Sequence, residues 1–216
     1  MATSPRSRVE IQGFEARHYD TLMAILTLGG YQRMLRDAVA HMDLEPGHRV
    51  LEFGCGPAIA ACPIAEALGP SGFYLGLDIS PIMLAKAERK CKPYGDRVAF
   101  RNQRIDEPLP FHEDFDRVFI SFVLHGFEEP DRRLIVRNAA RALKPGGHFY
   151  ILDYNEFDVD RSPWPVRFFI RRVECPLAEE FIRSDLKGLL ASEGFGEFAE
   201  WHYFRRLVRL QRAIKR

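Results

Sequence analysis

No stretch of about 18 consecutive apolar residues occurs in this chain, so no segment is expected to span a bilayer as a helix. The N-terminus, MATSPRSRVE, has no apolar h-region, so no secretory signal is expected and a cytoplasmic location follows. Cysteine is scarce. Cys55, Cys62, Cys91 and Cys175 form neither a C-x-x-C pair nor a disulfide framework and are expected to be free thiols. The seven histidines fall into no H-x-x-H or H-E-x-x-H spacing, so no metal is expected. Charge of one sign is also missing: 31 Lys and Arg against 30 Asp and Glu leave a net +1, which supplies no field to attract nucleic acid, and no nucleic-acid partner is expected. No internal repeat, low-complexity tract or linker divides the 216 residues, which are expected to form a single domain.

What is present is a regular alternation. Arg49 to Phe53, Phe73 to Leu77 and Arg117 to Val123 are short apolar runs with β-branched or aromatic residues, bounded by turn residues, and predict buried strands. Phe149 to Leu152, after a Lys144-Pro145-Gly146-Gly147 turn, and the weaker Val98 to Phe100 add two more. Between them, Ile59 to Leu68, Ile82 to Cys91 and Arg132 to Leu143 carry helical spacing, the second behind a Ser80-Pro81 cap. Strands alternating with crossover helices predict an α/β fold with a mostly parallel sheet. His18 to Met42 predicts one or two helices broken at Gly29-Gly30, placed to cap a site. Asn155 to Pro176 is expected to be irregular, Ala178 to Ser192 helical, and the two last apolar stretches are expected to be strands.

The sharpest local signal is Val50-Leu-Glu-Phe-Gly54-Cys-Gly56-Pro-Ala58, a buried strand running into a glycine turn and then a helix. Gly54 and Gly56 allow a tight turn and a close approach of ligand to backbone. Asp78 ends the next strand, where a carboxylate can accept both hydrogen bonds of a ribose diol, so the pair of features points to a nucleoside. A dinucleotide fingerprint would place glycine where Ile59 stands, and there is no G-x-x-x-x-G-K-[ST] loop. Glu52 adds an anion beside the turn, which repels phosphate and suits the ammonium end of an amino-acid nucleoside.

Glu52, Gly54, Gly56 and Ala58 resemble motif I of the class I S-adenosylmethionine-dependent methyltransferases, E/D-x-G-x-G-x-G, with Ala in place of the last glycine. The resemblance continues in order through Asp78-Ile-Ser-Pro-Ile-Met83-Leu84, Leu109-Pro-Phe111 before Phe115-Asp116, Ser121-Phe-Val-Leu-His125 and Leu143-Lys-Pro-Gly-Gly147. It implies a Rossmann-like three-layer sandwich with a mostly parallel seven-stranded sheet and N-terminal capping helices, and S-adenosylmethionine as cofactor. The expected divisions are cap helices in 1–45, a cofactor-binding core in 46–154, a lid or substrate loop in 155–177, and a C-terminal helix with closing strands in 178–216. The resemblance further implies that Glu52, Gly54 and Gly56 cradle the methionine end, that Asp78 holds the ribose, and that Ile79 and Met83 flank the adenine. Asp106 is either the acid that binds the adenine amino group or a solvated loop acid.

Tyr19-Asp20 and the basic Gln32-Arg33-Met-Leu-Arg36 resemble the N-terminal helices of UbiE-like quinone C-methyltransferases, which implies a small, apolar methyl acceptor such as a quinone precursor or lipid. A sulfonium is already a good leaving group, so positioning and desolvation can supply most of the rate. Should the acceptor need a base, His125 at the end of the fourth strand is the candidate; the alternative is a histidine that packs. Trp164, Phe168, Phe169 and Ile170, interleaved with Arg161, Arg167, Arg171 and Arg172, form a lid, a peripheral membrane contact or a loop packed on the core. The basic run Arg205 to Arg216 is a closing strand with a solvated tail or an amphipathic membrane helix. An accessory protein that binds cofactor without turnover is the alternative to an enzyme.

Overall fold

The computed structural model describes residues 30–216. The expected helix portion from His18 to Gly29, with Tyr19 and Asp20, lies outside the described residues. Helix α1 (Gly30–Ala40) buries Tyr31, Met34, Leu35, Ala38 and Val39, the stripe that a 3.6-residue period puts on one face. After it come β1 (Arg49–Phe53), α2 (Ala61–Leu68), β2 (Phe73–Asp78), α3 (Pro81–Cys91), β3 (Val98–Asn102) and β4 (Phe115–Ser121). The second half contains α4 (Glu129–Ala142), β5 (Leu143–Tyr154), α5 (Trp164–Arg172), α6 (Ala178–Ile182), α7 (Leu186–Ser192), β6 (Phe195–Tyr203) and β7 (Val208–Lys215).

The strands form one seven-stranded sheet in the order β3-β2-β1-β4-β5-β7-β6. The first five are parallel, and β7 enters antiparallel between β5 and β6. The Rossmann-like α/β sandwich expected from the sequence is thus the fold. Strand β1 is central, with Val50, Leu51, Glu52 and Phe53 all buried, as a strand covered on both faces requires. The chain steps outward from β1 to β2 and β3, then returns to place β4 on the other side of β1. The carboxyl ends of β1 and β4 therefore flank the point where strand order reverses, the place where open α/β sheets bind ligands.

Several local expectations are corrected. The Lys144–Gly147 turn is absorbed into β5: between the pairs Phe115–Leu143 and Arg117–His148, one residue of β4 (Asp116) stands opposite four of β5 (Lys144 to Gly147), so β5 carries three extra residues, with Gly146 at φ +72. Asn155 to Pro176 contains a helix, α5, because Pro163 and Pro165 fall at its N-cap and first turn, where a missing N–H costs nothing. Ala178 to Ser192 is two helices, divided where Asp185 accepts the Gly188 N–H at 2.8 Å and starts α7 afresh. The basic run Arg205 to Arg216 forms the closing strand expected, β7, and no membrane helix: Arg209 pairs with Glu156 at 3.0 Å, Arg212 with Asp43 at 3.1 Å and Lys215 with Glu113 at 3.1 Å, while Arg205, Arg206 and Arg216 are exposed.

The β6–β7 connection is strained. Phe204, Arg205 and Arg206 have φ of +48, +56 and +69, the left-handed region that costs a non-glycine residue about 1–2 kcal/mol. Asn155 holds this turn, its Nδ2 donating to the Arg206 carbonyl at 2.8 Å and its backbone N–H to the Leu207 carbonyl at 2.9 Å. Asn155→Ala is expected to cost about 1–2 kcal/mol, the net worth of one buried hydrogen bond plus an orphaned carbonyl. Denaturant midpoints of the two proteins check this, and an unchanged midpoint would mean that the turn is held by other contacts.

Candidate functional site

Beyond the carboxyl ends of β1 and β4 lies a cavity of about 380 Å³, within the range of small-molecule sites. Its wall brings together Glu52, Gly54, Gly56, Asp78, Ile79, Met83 and Asp106, seven of the eight residues singled out from the sequence. Residues that the sequence reading missed complete it: Tyr31 and Leu35 from α1, and Phe122, Val123 and Phe127 after β4. Phe122 carries a signal invisible in sequence, a φ of +52 in a bulky residue, of the kind that clusters at functional sites.

The glycine turn is built as its residues predict. Gly54 and Gly56 have φ of +66 and +51. A Cβ on Gly54 would lie 2.6 Å from Val123 Cγ2, so that glycine is needed for packing against the loop after β4. A Cβ on Gly56 would meet no protein atom within 4 Å, so that position keeps the cavity floor open for a ligand to touch backbone. Ala58, where the motif has its third glycine, sits at φ +57 and is wholly buried. The Asp78 carboxylate accepts the N–H groups of Gly56 and Ser80, each at 2.8 Å. A carboxylate has about four acceptor sites, so two remain for a diol.

Two acids here are held under electrostatic tension. Burial pushes the Glu52 carboxyl up to about 8, helped by the nearby Asp78 charge and opposed by the Tyr74 hydroxyl that donates to it. Burial also raises Asp78, against the backbone N–H groups of Ser80 and Gly56. Such a site gains by accepting a cation and loses by accepting a phosphate. The residues therefore fit S-adenosylmethionine, which carries a sulfonium, an ammonium and a ribose diol. Asp106 is no solvated loop acid: it is buried and gripped by Arg104 through two hydrogen bonds, 3.0 and 2.8 Å, with its neighbour Ile105 fixed by Asn138.

His125 is the residue that the structure does not bring to the cavity. It follows β4 as expected, in a 3₁₀ turn (Leu124–Gly126), but its ring points at β5 and is 4 % exposed. Nδ1 lies 2.8 Å from Asp153 Oδ1, and the ring packs edge-on to Tyr154 at 5.1 Å between centroids. Burial would lower its pKa, but Asp153, Cys175 and Glu174 outweigh that and hold it well above 6.5. An imidazole kept protonated and out of the cavity wall is poorly suited to accept a proton there. Helix α5, expected as a lid, contributes no residue to the cavity wall either.

The raised Glu52 pKa gives a pH dependence whose sign can be worked out. The ligand-free carboxyl keeps its proton up to about pH 8, whereas a bound cation favours the ionised form, so the complex holds fewer protons and binding strengthens as pH rises. Between pH 6 and 8 the affinity for S-adenosylmethionine is expected to rise by up to about tenfold per unit, one pKa unit being 1.36 kcal/mol. The ligand-free fold should meanwhile lose stability as pH climbs from 4.5, the ordinary carboxyl value, toward 8. Titration calorimetry in buffers of differing ionisation enthalpy should detect release of close to one proton near neutrality. The same slope in Glu52→Gln would remove Glu52 as its source.

Comparison with known proteins agrees with this geometry. A family model described as a methyltransferase domain matches residues 50–147. An uncharacterized methyltransferase of Synechocystis sp. is 32% identical over 178 residues, covering 80% of this chain and 78% of that protein. A demethylmenaquinone methyltransferase of Lysinibacillus sphaericus is 28% identical over 167 residues, 77% of this chain and 70% of the relative. Among solved structures, an S-adenosylmethionine-dependent methyltransferase from Aquifex aeolicus superposes with a TM-score of 0.63 at 19% identity, over 94% of this chain and 99% of that one. A glycine turn and ribose-side acid at the switch point of a seven-stranded sheet, with a methyltransferase 32% identical over four-fifths of the chain, mean that this chain belongs to the class I S-adenosylmethionine-dependent methyltransferases, close to their UbiE-like members.

Proposed function

We propose that the enzyme methylates a small apolar molecule of the quinone or lipid type. The observation that carries this reading is the apolar share of the cavity wall, to which Tyr31, Leu35, Phe122, Val123 and Phe127 contribute. Such a wall favours an apolar acceptor through burial. The relatives named demethylmenaquinone methyltransferases support the same class.

S-adenosylmethionine supplies, when bound, an activated methyl group on a positively charged sulfur. Gly54 and Gly56 offer backbone contact to the methionine end, with Glu52 as the counter-charge beneath it. Asp78 accepts from the ribose, Ile79 and Met83 flank the base, and Asp106, oriented by Arg104, faces the edge of the adenine. What remains for the chain is to align the acceptor and exclude water, and the aromatic wall does both. His125 then acts in positioning, since its ring ties the loop after β4 to β5.

Incubation with methyl-labelled S-adenosylmethionine and a demethylmenaquinone-type acceptor, with mass spectrometry of the product, tests the proposal. Label appearing in a polar acceptor alone would overturn it. Phe122→Ala should raise the acceptor KM by roughly 5- to 30-fold, equivalent to about 1–2 kcal/mol for a partly buried aromatic, with cofactor affinity nearly unchanged.

Helix α5 supports the peripheral membrane contact that an acceptor dissolved in lipid would call for. Trp164, Phe168 and, just past the helix, Val173 are 71%, 57% and 60% exposed, and the helix has no acid and carries Arg167 and Arg172 beside Arg171, which pairs with Asp160 and Glu179. That is the composition of an interfacial helix drawn to anionic lipid. No helix of the described residues is long and apolar enough to cross a membrane. The protein should co-sediment with vesicles containing phosphatidylglycerol more than with neutral ones, and Trp164→Ser with Phe168→Ser should abolish the difference. A double variant that keeps the parent's preference for phosphatidylglycerol vesicles would remove the helix as the membrane contact.

A further inference from the structure

Outside the cofactor cavity, three side chains of different chemistry converge behind the loop after β4: His125, Glu174 and Cys175. One donor atom from each lies within 4.8 Å of the other two. We infer that they form a binding site for a divalent transition metal, zinc by preference, which pins the end of α5 to the core.

The His125–Glu174 spacing speaks for a shared ion more than for a hydrogen bond. Nε2 is 3.6 Å from Glu174 Oε1, too long for a good N–H···O bond. Two ligands of one tetrahedral zinc, at 2.0–2.2 Å from the metal, sit about 3.3–3.5 Å apart. The donor set of imidazole, carboxylate and thiolate suits zinc, and three protein ligands leave a fourth position to water. Cys175 is half-buried in the short connection after α5, and its Sγ lies within 4.8 Å of the other two donor atoms, so a shift on the order of 1 Å brings it to the roughly 3.5 Å between ligands of a tetrahedral zinc.

The surroundings resemble an outer shell more than chance contact. Asp153 accepts from His125 Nδ1 at 2.8 Å, which fixes the ring and turns Nε2 toward Glu174, the carboxylate–histidine–metal arrangement. The Tyr154 hydroxyl donates to Glu174 Oε2 and the Cys175 N–H to Oε1 at 3.0 Å, which leaves Oε1 a second lone pair for the ion. Glu174 is about one-fifth exposed on its side chain, which gives the ion a route in. Tyr154 stands between His125 and Phe122, with ring centroids 5.1 and 6.0 Å away, so the ion is structural and lies one layer behind the acceptor wall.

The test uses the full chain, stripped by chelator, and titrated with Zn²⁺ against a chromophoric competitor and separately with Co²⁺. One equivalent of each should bind, and the cobalt form should show a thiolate-to-cobalt charge-transfer band in the near ultraviolet. Cys175→Ser should remove that band, and Asp153→Asn should weaken zinc binding by about 10- to 100-fold, the usual worth of an outer-shell partner. Cys62→Ser is the control, because Cys62 and Cys91 approach each other to 3.9 Å and form the rival thiol site. Absence of stoichiometric binding would overturn the inference, as would a charge-transfer band that survives in Cys175→Ser and vanishes in Cys62→Ser. Both serine variants sit at half-buried positions and differ from the parent by one atom, so loss of the fold does not confuse the readout.

Discussion

A single carboxylate, that of Asp78, joins the two strand ends on which the site depends. It reaches from the end of β2 to the Gly56 N–H in the turn after β1, and locally to the Ser80 N–H, which opens α3. Two backbone donors at left-handed or capping positions would otherwise have no partner in a partly buried place, a cost of about 1–3 kcal/mol each. With them satisfied, Ser80 caps α3, and the helix presents Ile82 and Met83 to the cavity beside Ile79, which precedes the cap. The residue that shapes the empty turn is thus the residue best placed to receive a ribose, and it can serve both ends because it keeps spare acceptor sites.

That arrangement stores electrostatic free energy. Glu52 and Asp78 are both pushed toward the neutral form by burial, and the Asp78 charge adds to the cost of ionising Glu52. A neutral ligand leaves this cost unrelieved and a phosphate deepens it, whereas a ligand carrying a sulfonium and an ammonium removes it. Discrimination against nucleotides therefore arises from the ligand-free charge state as much as from shape. The buried Tyr74 hydroxyl, which donates to Glu52, keeps that carboxyl from turning away when no cation is present.

How much of this could be read from residues alone follows the range of the interactions. β1 was bounded correctly at Arg49 and Phe53, because its limits are set by local apolar pattern and adjoining turn chemistry. The Ser80-Pro81 start of α3 was legible for the same reason, with Met83 N–H reaching the Ser80 hydroxyl as a cap requires. Helix α5 was missed because its prolines read as breakers until their position at the first turn is known. The division at Asp185 was missed because a cap and an interior aspartate look alike in sequence. For His125 the sequence marks the strand end but leaves base and packing histidine as alternatives, and the fold packs it. Its orientation depends on the φ of Phe122 three residues earlier and on Asp153, 28 residues away, and neither is encoded locally. The acceptor wall was invisible for a related reason, since Tyr31 and Phe122 meet at 5.8 Å only through the tertiary fold.

The far end of the chain also reaches the cavity, through α1. Tyr203 donates to Asp37 at 2.9 Å, Trp201 stacks on His41 at 4.9 Å, and the Phe204 ring lies 3.4 Å from where a Gly30 Cβ would be. These contacts hold the one described cap helix against the sheet edge formed by β7 and β6, and the same helix supplies Tyr31 and Leu35 to the acceptor side. Three consecutive left-handed residues at 204–206 are an expensive way to turn a hairpin that two glycines could turn for little. Their cost is intelligible if the turn must also present Phe204 to Gly30, because a glycine there would relax the backbone and lose the ring that seats α1. The strain in the β6–β7 turn is therefore coupled, through α1, to the shape of the cavity beyond β1 and β4.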